Sequence, residues 1–472
     1  MEFIVGNLFF SSNFDSGNLL NVEKVISCED NFNNYYGSQS DPLKMDYEFN
    51  VWTKPDCYGT EFENINRTWS YFYVMGYIQD KMMKITIKNL NRQQRLYSQG
   101  YCPLFKTDTR SPENDKWCRI RFRPSWASDG SNFQLSFAHH LSEVSGSKTY
   151  FAFCYPWSYE DCQEQLNEIE SKYQFLEICS WETLSKMDSK TVYYKRESFT
   201  NSFEGRRIDL MTITDMEGMS YEREEHFDEK LFPEKLNRPC EFNGKKNFVV
   251  TYRVHPGKTR SSHVFNGFLN LILRPNDPRS IQLRKQYFFK LIPLLNPDGV
   301  FRGHYRTDSR EVNLNRVYLN PNFKLHSPIY AAKFLVLYHH IYNGCIILKA
   351  VNALMSQIPN VSSSIESNSQ SPDTKLFGIN KSCHLTINRA GIFGNVITLK
   401  LACDFFSQNG TSTYMLSSGS GLSSNGESQK CIVSSNRNLN NSNFESLIHL
   451  SNNKSVLVMH FICRCLLTIS FW

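Results

Sequence analysis

The sequence has little that would staple, export or anchor it. Its 14 cysteines follow no regular spacing and include no Cys-x-x-Cys pair, the nearest approach being Cys463-Arg-Cys465. That excludes the disulfide framework of small secreted domains. No basic stretch precedes the first apolar run, MEFIVGNLFFSS, which carries Glu2, so this end reads as a strand and not as a secretory signal. A reducing, cytoplasmic setting is expected, with the nucleus as a second compartment. No apolar run is both long and clean enough to span a bilayer. The best, Val456 to Trp472, sits at the short limit and carries His460 and Arg464 near its middle, where charge is costly. No membrane association is expected. Charge of one sign is scarce as well: a net +6 over 472 residues fits an acidic partner without demanding one. Nucleic acid is not an expected partner, and there is no internal repeat.

What is present is core-forming material. Hydrophobic residues make up 40% of the chain, with 35 Phe and 24 Tyr, which excludes a wholly disordered protein. The length exceeds what one hydrophobic core usually serves, so two or more domains are expected.

Three regions differ in pattern. Residues 1–155 read as an N-terminal antiparallel β-sandwich. NFQLSF (132–137) alternates Phe133, Leu135 and Phe137, MKITIKNL puts Ile85 and Ile87 on one face, and KTYFAFCY alternates Phe151 with Phe153. The aromatic run WSYFYVMGYI (69–78) suits a strand, and KPDCYG and TRSPEND are turn clusters between such runs. Residues 156–342 alternate helix and strand. YEDCQEQLNEIESKYQFLE (159–177) and SSHVFNGFLNLIL (261–273) have helical period, as does PIYAAKFLVLYHHIY (328–342). NFVVTYRV (247–254) and QYFFKLIPLLN (286–296) are buried strands, so an α/β layer with sites at strand ends is expected. Residues 343–472 carry Ser/Asn/Gly tracts such as LSSGSGLSSNGESQK and read as a divergent, poorly ordered tail.

The turn YRVHPGKTRS (252–261) poses the chemical question. Pro256-Gly-Lys-Thr259 ends like a phosphate-binding loop between strand and helix, but that loop needs a glycine where this chain has Tyr252. It would also need amide donors where proline has none. The alternative is a metal site, with His255 presented at the end of a buried strand. Behind the next strand, NPDGVFRGHYRTDSREVNLNR (296–316) packs arginines and asparagines. Guanidinium forks there suit a carboxylate, gripped bidentately, and asparagine amides suit its orientation. A solvated basic loop is the plain alternative.

These residues resemble the cytosolic carboxypeptidase group of zinc carboxypeptidases. The resemblance runs through FSSNFDSGNLLNVEKV (10–25), DYEFNVWTKPDC (46–57), FAFCYPWSYEDCQ (151–163), RPCEFNGKKNFVVTYRVHPG (238–257) and FKLIPLLNPDGVFRGHYRTDSREVNLNRVYL (289–319), within residues 3–342. It implies an α/β carboxypeptidase-like domain with a mixed sheet, here its first half and so incomplete, preceded by the β-sandwich. It implies one zinc ion and removal of glutamates from polyglutamylated proteins, tubulin above all, with association to microtubules. His255 then matches the first zinc ligand, and the second ligand would be a glutamate where this chain has Lys258. Arg306 matches the arginine that stabilises the oxyanion, and Asn315 and Arg316 match the pair that binds the terminal carboxylate. The family's third ligand lies in a later Asp-Leu-His-Gly-His segment, which this sequence lacks, and its general-base glutamate has no counterpart. Neither Glu427 nor Glu445 sits in a matching context, and His339 and His340 belong to a helix. On these residues the chain is expected to bind zinc weakly or not at all, and a non-catalytic binder of acidic tails is the alternative function.

Overall fold

The computed structural model describes residues 1–26, 45–76, 81–108, 115–129, 132–141, 146–234 and 238–343, with strand backbone at 346–349, 383–390, 397–403, 405–407 and 410–412. The Ser/Asn tracts and the 456–472 run lie outside the described residues. No helix among those described is long and apolar enough to cross a membrane. The chain divides into two compact units. The first comprises 1–163 with the segments 255–260 and 296–313, and the second comprises 164–254, 261–295 and the residues from 314 onward.

The first unit holds two sheets. One has six strands in the order Glu2–Val5, Leu8–Ser11, Tyr71–Gly76, Lys148–Ala152, Leu104–Asp108 and Cys118–Arg119, every neighbour antiparallel. The other has five, in the order Asn21–Lys24, Tyr47–Trp52, Met82–Leu90, Asn132–His140 and Ser125–Asp129. Within it Tyr47–Trp52 and Met82–Leu90 run parallel, one parallel pair in an otherwise antiparallel sandwich. The alternation read from the sequence is the burial pattern: Ile85, Ile87, Leu135 and Phe137 point inward and are buried. The two sheets share one core. Phe10 of the first meets Phe49 of the second at 5.0 Å between ring centroids, and Phe151 meets Phe137 at 5.6 Å. Each such ring contributes about 2–3 kcal/mol by leaving water. The run MEFIVGNLFFSS, expected as one strand, is a hairpin. Val5 pairs with Leu8 across Gly6 and Asn7, and Gly6 takes the left-handed φ of 63° that a two-residue hairpin turn demands.

The second unit is built on a mixed seven-stranded sheet. Its order is Val192–Asn201, Arg207–Asp215, Tyr287–Ile292, Lys246–Thr251, Ile346–Lys349, Cys383–Ala390 and Ile397–Cys403. The four strands from Tyr287–Ile292 through Cys383–Ala390 pair in parallel, and the outer pairings are antiparallel. Helices cover both faces. Along Tyr287–Ile292, Phe289 packs on Phe268 of helix Arg260–Ile272 at 5.6 Å. The next residue back, Phe288, points the other way and meets His339 of helix Ser327–Asn343 at 6.4 Å.

Two strands stop earlier than their apolar patterns extend, at Thr251 and Ile292. The backbone then leaves the sheet: Arg253 adopts φ 55°, a left-handed conformation that costs a non-glycine residue energy. The helix starting at Tyr159 ends at Tyr173, and a separate turn, Phe175–Ile178, follows.

Candidate functional site

The site segments begin side by side. Parallel pairing sets Thr251 opposite Ile292. Past those ends the two segments stay stitched, with the Tyr252 amide donating to the Ile292 carbonyl and the Leu295 amide to the Tyr252 carbonyl, each at 3.0 Å. Ligand-binding groups gather at such strand ends in open α/β sheets.

The NPDG run builds a short helix from local chemistry. Asn296 caps it by accepting the Gly299 amide at 3.0 Å, and Pro297 occupies the first turn, where its missing N–H costs nothing. The helix, Pro297–Phe301, is followed by Gly303 with φ 69°, the left-handed residue that closes many helices. A Cβ on Gly299 would lie 2.5 Å from both Pro256 Cγ and the Thr307 carbonyl oxygen, so glycine is required there for the two segments to touch.

His255, Lys258 and Arg306 therefore share one compact piece of the first unit. His255 is buried, and its Nδ1 lies 3.0 Å from the Arg306 carbonyl oxygen. A carbonyl only accepts, so Nδ1 carries the proton and donates. The Gly257 amide donates to the Tyr305 carbonyl at 2.9 Å, and the Lys258 amide to the His255 carbonyl at 3.1 Å. Lys258 is exposed and Arg306 half-buried. Asn315 and Arg316 belong to the second unit, in the turn Leu314–Arg316. Asn315 is buried, while the exposed Arg316 donates from Nη1 to the Asn315 carbonyl at 3.4 Å.

The sequence gives no hint of the group that holds this piece in place. Asp56, in the KPDCYG turn, is buried and acceptor to four donors on the GHYRT segment. They are the amides of Tyr305 at 2.5 Å, Arg306 at 2.8 Å and Thr307 at 2.9 Å, and the Thr307 hydroxyl at 3.1 Å. The next amide, Cys57, donates to His304 Nε2 at 3.0 Å. That fixes the other His304 nitrogen, Nδ1, as the protonated one, 3.1 Å from the Asp308 carbonyl. Burial, foremost, lowers the His304 pKa, so the ring stays neutral.

The described residues do not fit a zinc ion. A catalytic zinc takes three protein ligands, and no three His, Cys, Asp or Glu side chains among the described residues converge on one point. His255 offers one imidazole, with Nδ1 already committed to a carbonyl. Three residues on stands an ammonium, which has no lone pair and repels a cation.

The zinc carboxypeptidase family (peptidase M14) matches residues 181–333. Cytosolic carboxypeptidase-like protein 5 of Homo sapiens is 50% identical over 349 residues, covering 73% of this chain and 38% of that protein. The Danio rerio protein of that name is 51% identical over 347 residues, again covering 73% and 38%. Cytosolic carboxypeptidase 6 of Caenorhabditis elegans is 30% identical over 337 residues, or 70% of this chain and 58% of that one. This chain thus spans 38% of the length of the carboxypeptidase-like relatives. Among solved structures, a metallo-carboxypeptidase from Burkholderia cenocepacia aligns with a TM-score of 0.47 at 18% identity, over 72% of this chain and 70% of that one. With residues 181–333 matching the zinc carboxypeptidase family and half of the matched residues shared with the carboxypeptidase-like proteins of Homo sapiens and Danio rerio, the chain belongs to the cytosolic carboxypeptidase family of zinc carboxypeptidases.

Proposed function

We propose that this protein recognises glutamate-rich protein tails, those of tubulin foremost, as a member of a family that removes glutamates, and that in this sequence recognition outlasts hydrolysis. The observation that carries the reading is the exposed Lys258 in the turn after His255, whose imidazole bonds the Arg306 carbonyl. Where the family needs an anionic metal ligand, this turn supplies a second cation. Arg306, Asn315 and Arg316 are the proposed carboxylate-binding groups. A guanidinium matches a carboxylate with two parallel donors, and an asparagine amide fixes its plane. Acidic tails of cytoplasmic microtubules suit such a set.

The second reading is glutamate-specific peptidase activity, favoured by the 50% identity to carboxypeptidase-like proteins. Metal content and turnover separate the two. The full chain, purified without chelator, is expected to hold well under one zinc per molecule and to release no glutamate from a glutamate-tailed peptide. It is expected to bind that peptide in a salt-sensitive manner, and Arg316→Ala is expected to abolish the binding. Stoichiometric zinc with glutamate release would establish the second reading, and binding indifferent to Arg316→Ala would remove the first.

A further inference from the structure

We propose that Asp56 is a positioning residue for the His255–Arg306 pair. This inference rests on the carboxylate-recognition reading for its binding arm, but its structural arm stands independently.

Three observations carry it. First, the Asp56 carboxylate is shut away from water, and no lysine, arginine or histidine pairs with it among the described ion pairs. A buried carboxylate without a cation needs strong donors, and the three successive amides of 305–307 with the Thr307 hydroxyl supply them. Second, the middle amide of the three belongs to Arg306, whose carbonyl accepts from His255 Nδ1. Fixing one peptide plane on each side of Arg306 fixes both the root of the guanidinium and the direction of the imidazole. Third, the hold continues through the neighbouring residues. Cys57 donates to His304, Asn64 Nδ2 donates to the Thr307 hydroxyl at 3.2 Å, and Asn18 Nδ2 donates to the Gly303 carbonyl at 2.9 Å. Cys57 itself takes φ 62°, a strained conformation for a side chain with a Cβ. The turn is bent so that adjacent residues, a carboxylate and an amide, face the same segment.

The test uses the full chain with 15N-labelled histidine. Long-range 1H–15N spectra report whether His255 Nδ1 is the protonated, hydrogen-bonded nitrogen, and calorimetry measures affinity for a tetraglutamate-tailed peptide. In Asp56→Asn the side chain keeps its size but offers one acceptor oxygen and adds an N–H₂ facing donors. We expect the His255 signature to become that of an unconstrained, tautomerically mixed ring, and peptide affinity to fall about tenfold, the cost of one charge-assisted hydrogen bond. Phe137→Leu, in the sandwich core, is the control: it lowers the melting temperature while leaving the His255 signature intact. If Asp56→Asn lowers the melting temperature but leaves His255 as in the wild type, Asp56 is only structural and the proposal is overturned. If Asp56→Asn does not fold, Thr307→Val carries the test. It removes one donor to the carboxylate, so a shifted His255 resonance supports the proposal and an unmoved one overturns it. A wild-type chain that binds no peptide would defeat the recognition reading alone, since the histidine spectrum still decides the role of Asp56.

Discussion

Lys290 and Glu224 meet at 2.7 Å with both side chains closed off from solvent. Arg238 reaches the same Glu224 oxygen at 2.8 Å and also bonds Glu197, and Lys290 donates to the Thr212 hydroxyl at 2.9 Å. Two cations and two anions thus balance inside the second unit. Burial pushes the Glu224 carboxyl up, but the surrounding charges, Lys290 foremost, more than reverse this and hold it below the usual carboxylate range.

Removing one member strands its partners. Lys290→Met is expected to destabilise the second unit by about 3–5 kcal/mol, because a buried carboxylate is left under-compensated. The double variant Lys290→Met with Glu224→Gln is expected to recover part of the loss. Urea unfolding followed by circular dichroism measures both, and a neutral single variant would contradict the account.

His139 gives the first unit an acid sensitivity. Its ring packs on Phe105 at 4.2 Å and on Phe151 at 5.2 Å. Burial, foremost, lowers its pKa to about 4 from 6.5. The folded state therefore stays neutral in a range where the unfolded chain takes up a proton. Stability is full above pH 6.5 and declines as pH falls toward 4, by up to about 1.4 kcal/mol per pH unit. His139→Phe is expected to flatten the melting temperature across that window, and an unchanged slope would assign the acid sensitivity to other groups.

The turn after His255 has no room to spare. A Cβ on Gly257 would sit 2.5 Å from Tyr305 Cδ2 and 2.8 Å from the Tyr305 carbonyl oxygen. Gly257→Ala is expected to cost about 1–3 kcal/mol through the forced backbone shift. Scanning calorimetry checks it, and a melting temperature equal to the wild type would show slack that the distances deny.

Thiol chemistry separates surface from interior. Cys118 is exposed, whereas Cys57, Cys154, Cys162 and Cys240 are buried. Burial, foremost, raises the Cys57 thiol to about 11, so it stays protonated and slow to react. Among these five, a brief iodoacetamide pulse on the native protein is expected to label Cys118 alone, as read by peptide mass spectrometry. Prompt labelling of Cys57 would mean that the KPDCYG turn opens.

Local signals carried much of this structure. Period-two alternation found the sandwich strands because one face of each is wetter than the other, and the apolar runs NFVVTYRV and QYFFKLIPLLN marked the two neighbouring buried strands of the second unit. The strands Val192–Asn201 and Arg207–Asp215 escaped notice because both faces are buried and polar residues sit among the apolar ones. Arg196 is enclosed there with Asp209 at 2.8 Å from the facing strand and Glu170 at 3.0 Å from the helix Tyr159–Tyr173. Such pairing is invisible along one strand. Asp56 was hidden for a related reason. KPDCYG reads correctly as a turn, but the meaning of its aspartate depends on amides far away in the chain. The left-handed Arg253 left no trace in composition either.

Distance along the chain has a kinetic side. Asp56 and Thr307 are 251 positions apart, and Asn18 and Gly303 are 285 apart. At a synthesis rate of roughly 5–20 residues per second, Asp56 leaves the ribosome on the order of 10–50 s before Thr307. During that interval the KPDCYG turn is a berth without its occupant, its aspartate served by water instead of amides. Joining them closes a very long loop, the slow kind of step in folding. The surroundings of His255 are therefore among the last parts of the first unit to acquire their native form.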